Sequence, residues 1–249
     1  MQTNIPTASN AMRSLLKADF TTQWRNRRAV IMVILVPVII VIFWKGLVET
    51  IGGAAVLSNC ITVGLTAIGL MGYSNAIARD RDKGVFQRLR VAPVPTWAIM
   101  ISRLLVQLVM IILMTSAVFI AGYYYDKIVI SPMGYTMSFL TAFAGGALYL
   151  GLGQAIVGLI KNPETVNSTT RLVYFVFIMV GMFGQFGTEG DLMVEIVKWS
   201  PYGTVKQIVS ASLQPGKWNM HTSMSLLVTI GYALVFSVMG IKWFRWNSK

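Results

Sequence analysis

Residues 53–95 read GAAVLSNCITVGLTAIGLMGYSNAIA and then, without a break, RDRDKGVFQRLRVAPVP. The 26 residues Gly53–Ala78 hold no charged side chain, and the 17 that follow hold seven. A helix needs about 20 apolar residues to cross the hydrocarbon core of a bilayer. Lipid leaves every backbone polar group to be satisfied within the segment, so such a run is predicted to be a membrane-crossing helix. The charged stretch after it is its exit into water.

Five further runs flank this pair: Ala29–Leu47, Trp97–Tyr124, Met137–Ile160, Leu172–Phe186 and Thr222–Ile241. The one from Leu172 is shortest and is expected to extend back into the polar stretch before it. The fold class expected is all-α and polytopic, with six transmembrane helices. Composition agrees: 55% of residues are hydrophobic and 12% are charged, whereas soluble domains carry about 25% charged residues. The first apolar run begins only after Arg28, and no small-residue cleavage site follows it, so it reads as a retained span and not a secretory signal. Residues 1–28 form an N-terminal segment and 29–249 one membrane domain. The lone cysteine, Cys60, rules out an intrachain disulfide.

The formal charge of +12 is a matter of position. If the six runs alternate in direction, 16 of the 21 Lys and Arg residues fall on one side, among them Arg13, Arg79, Arg90, Arg171 and Arg245. The five on the other side are Lys45, Lys127, Lys198, Lys206 and Lys217. Basic residues resist translocation, so both termini are expected in the cytoplasm, and no nucleic acid is needed to explain the charge. Residues from Met12 to Arg28 have Leu15, Leu16, Phe20 and Trp24 at helical spacing against basic neighbours, which predicts an amphipathic helix in the interface. In the outer segment 187–221, Met193–Trp199 and Val205–Leu213 are expected as two short helices broken at Pro201. They either dip into the outer leaflet or form an ordinary surface loop.

The loop 79–95 is the most specific part of the chain. Gly84 ends the helix leaving the second span. Val85, Phe86, Leu89 and Val91 then fall on one side of a short basic helix, and Pro93 and Pro95 end it. Such a helix suits docking into a partner's groove, although a plain basic loop obeying the orientation rule has the same composition. The run from Arg79 to Pro95 resembles the signature of type-2 ATP-binding-cassette (ABC) export permeases of the daunorubicin-exporter kind. There an acidic and basic cluster precedes a Gly, an Arg-Leu-Arg, a small residue and Pro. Phe86-Gln87 stands where that family often has Leu-Glu, and Asp80 or Asp82 where it often has Glu. The basic N-terminal helix, the six spans and Trp199-Ser200-Pro201-Tyr202 before the last span extend the resemblance over the whole chain.

The resemblance implies a permease subunit in a prokaryotic plasma (inner) membrane. Asp80, Asp82, Gly84, Val85, Phe86, Gln87, Arg88, Leu89 and Arg90 would form the coupling helix and its approach, seated in a separate ABC ATPase subunit. A second permease copy would complete a dimer, with the second and fifth spans at its interface. ATP and magnesium would sit on the partner, with no cofactor in this chain. The sequence contains no G-x-x-x-x-G-K-[ST] phosphate cradle. The chain is therefore not expected to be an enzyme itself.

Polar residues mark two spans. Asn59, Thr62, Thr66, Gly69 and Tyr73 recur in steps of three and four along one face of the second. Asn167, Thr170, Tyr174, Gly181 and Gln185 likewise lie near one face of the fifth. Such faces either bond neighbouring helices or line a path; Asn59, Thr62, Thr66, Tyr73, Tyr174 and Gln185 are the path candidates. Ala147, Gly151 and Ala155 at spacing four permit close helix approach. Apart from Lys45 at the outer end of the first, the spans carry no Asp, Glu, Lys or His, and Arg103 near one end of the third is expected to snorkel. Ion-coupled carriers use buried titratable groups, so an uncharged path suits a largely apolar or amphipathic substrate: a drug, an antibiotic or a lipid. Export of lipid-linked polysaccharide by the same fold, or a lipid-headgroup enzyme, are the alternatives. No carboxylates are paired at catalytic spacing, and His221 stands alone, so no catalytic or metal site is expected.

Overall fold

A computed structural model of the chain describes residues 8–91, 96–186 and 192–244. Among these the ordered elements are helical: α1 (Ala8–Arg25), α2 (Arg27–Phe43), α3 (Lys45–Ile51), α4 (Gly53–Asp82), α5 (Val85–Val91), α6 (Thr96–Asp126), α7 (Pro132–Leu159), α8 (Pro163–Phe186), α9 (Leu192–Trp199), α10 (Pro201–Leu213) and α11 (Met220–Trp243). Pro93, Pro95, the start of the outer segment and the side chains of Arg90, Phe183, Gln185 and Phe186 lie outside the described residues.

Among the described residues four helices are long and apolar enough to cross a bilayer unaided: α4, α6, α7 and α11. Their surface is that of a membrane protein. Leu227, Leu234, Val238 and Ile241 on α11 are each more than 60% exposed, an apolar face that water would not tolerate and lipid does. The chain is thus a multi-pass membrane protein. Helix α2 has 17 residues, and α8 begins at Pro163, with Glu164, Asn167 and Arg171 in its first turns. The early start of α8 is the extension that the polar stretch before Leu172 predicts. Segments 12–25 and 30–43 differ in direction by 58°, so α1 does not continue α2; it lies along α6 instead.

The core is built around α4, buried along most of its length, with α2, α6, α7 and α10 packed on it and α11 lying along α7. Small residues set the spacing. Gly153 of α7 meets α4 so closely that a Cβ there would lie 2.5 Å from the Gly69 carbonyl oxygen. Gly151 packs on α11 near Ser237 and Ala233, the close approach that its spacing with Ala147 and Ala155 permits. Within α4, residues Ala67–Tyr73 form a π-helical segment. The Gly69 carbonyl there accepts from both the Ser74 N–H and the Ser74 hydroxyl, the latter at 2.7 Å. Hence the wider turn leaves that carbonyl satisfied.

Helix α10 departs from expectation. It starts at Pro201, four residues before the predicted Val205. Ser200 is its N-cap, its Oγ accepting from the Gly203 N–H at 3.0 Å, and Pro occupies the first turn, where its missing N–H costs nothing. Pro201 therefore opens a helix. The helix is no surface loop: Val205, Ile208 and Val209 are fully buried against α4, α7 and α11.

Candidate functional site: a polar-to-apolar cleft and an anchored basic helix

Arg81 and Arg103 lie at one end of the bundle. Arg81 reaches from α4 across to the end of α7, where its guanidinium donates to the carbonyls of Val157 at 2.6 Å, Ile160 at 2.6 Å and Lys161 at 2.8 Å. These are carbonyls that a helix C-terminus leaves unpaired, and a cation there also suits the helix dipole.

Beside it sits a second cluster. Arg103 of α6 is 2.7 Å from Asp80 of α4 and lies 4.7 Å from the centre of the Phe86 ring. Arg103 therefore does not snorkel; it is buried because a carboxylate and an aromatic face replace its hydration. The neighbouring Ser102 hydroxyl donates to Asp19 of α1 at 2.5 Å. Burial raises the Asp19 carboxyl above its ordinary value, against the opposing Ser102 bond and Arg103 charge.

Helix α5 is anchored on this cluster. Gly84 adopts φ +66°, a left-handed turn that glycine takes without strain and that starts α5 in a new direction. Phe86 is fully buried, its ring edge-on to Phe244 at 5.4 Å. The apolar side of α5 thus faces the chain's own helices. Val85 and Leu89 are half-buried, while Asp82, Lys83, Gln87 and Arg88 remain exposed. Among the coupling candidates, the exposed side chains are the ones available to a partner.

At the same end, α2, α4 and α8 enclose a cleft of about 800 Å³. Asn75, Arg79, Glu164 and Arg171 line its polar mouth, and Met32, Val36, Met71 and Ile178 its apolar depth. The buried Asn75 Oδ1 has no hydrogen-bond partner, although its amide donates to the Met71 carbonyl at 2.9 Å. The cleft can hold a molecule with a polar head and an apolar body.

Of the path candidates with described side chains, Tyr174 lines this cleft. Asn59, Thr62, Thr66 and Tyr73 are buried in helix packing. Thr62 and Thr66 donate back to the Ser58 and Thr62 carbonyls, each at 2.7 Å. Asn59 accepts from the Tyr202 hydroxyl at 3.3 Å, and Tyr73 donates to Gln154 at 2.8 Å. The cleft face of α4 is instead Ala67, Met71, Asn75 and Arg79, spaced by four and running out of the π-helical segment. The signal was present in the sequence, but Ala and Met at two of the four positions made it less visible than the neighbouring hydroxyl stripe.

A multi-pass helix bundle with an amphipathic cleft and a basic helix at one end suits a membrane transport subunit. The comparisons with known proteins agree: the ABC-2 type transporter family model matches residues 10–205, and the chain belongs to that family. It is also 22% identical over 242 residues to a Bacillus subtilis (strain 168) protein named "Putative transport permease YvfS", with 92% of this chain and 95% of that one covered.

Proposed function

We propose that the chain is the membrane-spanning subunit of an ABC exporter, with six spans and both termini in the cytoplasm of a prokaryote. It carries a largely apolar or amphipathic substrate, and a separate ATPase supplies the energy. In this reading α2 and α8 are the two spans beyond the four long ones, each completed in length by its flanking polar residues. The cleft between α2, α4 and α8 is the inward half of the path, closed on its open side by a second copy of the chain. Helix α5 is the coupling helix. ATP-driven closure of the partner shifts the equilibrium between inward and outward states only through contacts that differ between them.

The observation that carries this reading is the seating of α5. Phe86 is clamped between Phe244 and Arg103, and Arg103 is tied to Asp80. A push on the exposed Gln87 and Arg88 is therefore delivered to α4, which forms a wall of the cleft. The test is co-purification of the chain with an ATPase from the same cells. Arg88→Glu is expected to lose the ATPase at least about tenfold, roughly 1.4 kcal/mol, while the chain keeps its own melting temperature. Full retention of the ATPase by that variant would refute the assignment.

A further inference from the structure

Helices α6, α7 and α11 enclose a cavity of about 470 Å³, with Tyr73 of α4 also lining it. That is the size of a small-molecule pocket. Leu104 and Leu108 of α6 and Ile241 of α11 form its rim, each at least 36% exposed. Apolar side chains exposed on a membrane helix meet lipid, so the cavity opens sideways into the bilayer. Its inner face is polar. The Tyr73 hydroxyl donates to Gln154 Oε1 at 2.8 Å, which fixes the amide and turns its nitrogen elsewhere. Gln154 is 9% exposed and lines the cavity, and among the described residues no atom accepts from its Nε2. Ser237 supplies a hydroxyl at the contact of α11 with Gly151 of α7. Among the described residues no charged side chain lines the cavity.

These features select one kind of occupant. A phosphate or ammonium brought here would lose its water and meet no counter-charge, which is costly. A bare hydrocarbon would leave the Gln154 amide N–H unpaired in an apolar setting. An uncharged head with an ester carbonyl and a hydroxyl, carried on an apolar chain, avoids both costs. We propose that the cavity between α6, α7 and α11 is a binding site for an uncharged acylglycerol that enters from the bilayer. Its ester carbonyl accepts from the Gln154 amide, its hydroxyl shares a hydrogen bond with Ser237, and its chain lies along Leu104, Leu108 and Ile241. Phe244 also lines the cavity, and its ring packs on Phe86 of α5. A bound lipid therefore braces the residue that seats α5. That this tunes coupling to an ATPase rests on the exporter reading; the binding itself does not.

The test uses the full chain in phosphatidylcholine nanodiscs without an ATPase, so its outcome is independent of coupling. Three probes carry the same chain with a diazirine midway along it: a monoacylglycerol, a phosphatidylglycerol and a headless alkane. Each is photolysed in the discs, and the labelled peptides are read by mass spectrometry. Labelling of residues 104–108 and 237–241 by the monoacylglycerol is expected to exceed that by either other probe at least about fivefold. Ser237→Ala and Gln154→Leu are each expected to cut it about fivefold. Ala147→Leu fills the cavity from an exposed position and is expected to cut it at least as much. Leu140→Phe, exposed on the same helix outside the cavity, leaves it unchanged. Ser237 is half-buried and Ala147 exposed, so their variants test the site even where Gln154→Leu, which also strands the Tyr73 hydroxyl, perturbs folding. Equal labelling by the phosphatidylglycerol or the alkane would reduce the site to ordinary lipid contact and overturn it. So would Ser237→Ala or Ala147→Leu labelling like the parent.

Discussion

Arg81→Ala is expected to loosen the end of α7. The substitution removes three charge-assisted hydrogen bonds to the Val157, Ile160 and Lys161 carbonyls. The Val157 bond is buried, and stranding that carbonyl costs roughly 1–3 kcal/mol. The Ile160 and Lys161 carbonyls lie in a partly exposed setting and regain water, so each loss is nearer the ordinary net value of about 0.5–1.5 kcal/mol. The expected total is about 3 kcal/mol, or a fall of roughly 6–12 °C in melting temperature for a chain of this size. The assay is the monodisperse fraction of detergent-purified chain that survives heating, read by size-exclusion chromatography. Arg81→Lys keeps the charge but not the forked donor geometry, and is expected to recover about half of the loss. An Arg81→Ala variant melting within about 2 °C of the parent would refute the claim that this guanidinium caps α7.

Three other outcomes follow from the packing and the charges. Gly153→Ala places a methyl 2.5 Å from the Gly69 carbonyl oxygen; overpacking costs about 1–3 kcal/mol, so heating should aggregate this variant several degrees early, whereas Gly231→Ala, with open space around it, should not. Asp19 has a raised carboxyl pKa, so the folded state holds its proton more tightly than the unfolded state. Its contribution to stability is full below 3.8 and is lost as pH rises through the raised folded value. Asp19→Asn keeps an acceptor for Ser102 and should flatten that part of the pH–stability curve; an unchanged slope would count against the burial of the Asp19 carboxyl. Phe86→Ala should lower both melting temperature and ATPase retention, since the ring anchors α5, while Arg88→Glu should lower retention alone; identical profiles for the two would contradict the division between inner and outer faces.

The parts of this fold that the sequence reveals are those set by one-dimensional patterns. Uncharged runs such as Gly53–Ala78 locate the spans because lipid permits little else, and Gly84 locates the start of α5 because only a residue tolerant of positive φ makes that turn. Pairings across the bundle were not legible. Arg103 looked like a snorkelling residue because Asp80 and Phe86, distant in sequence, are what make its burial tolerable. The hydroxyl stripe on α4 suits either helix bonding or path lining by its spacing alone, and only the structure shows that Thr62 and Thr66 donate to carbonyls of their own helix. The cleft face ran through residues whose register depends on a π-helical segment. Likewise, Lys198, Lys206 and Lys217 are scattered in sequence, and only the fold of α9 and α10 brings them to one cavity.

The exporter reading requires α5 to face the cytoplasm and the three-lysine cavity to face outward. Cysteine labelling in intact cells tests this most directly, in a Cys60→Ser background with a maleimide that cannot cross the membrane. The account predicts that Arg88→Cys stays unlabelled until the cells are broken, whereas Lys217→Cys is labelled at once. Rapid labelling of Arg88→Cys in intact cells would contradict it.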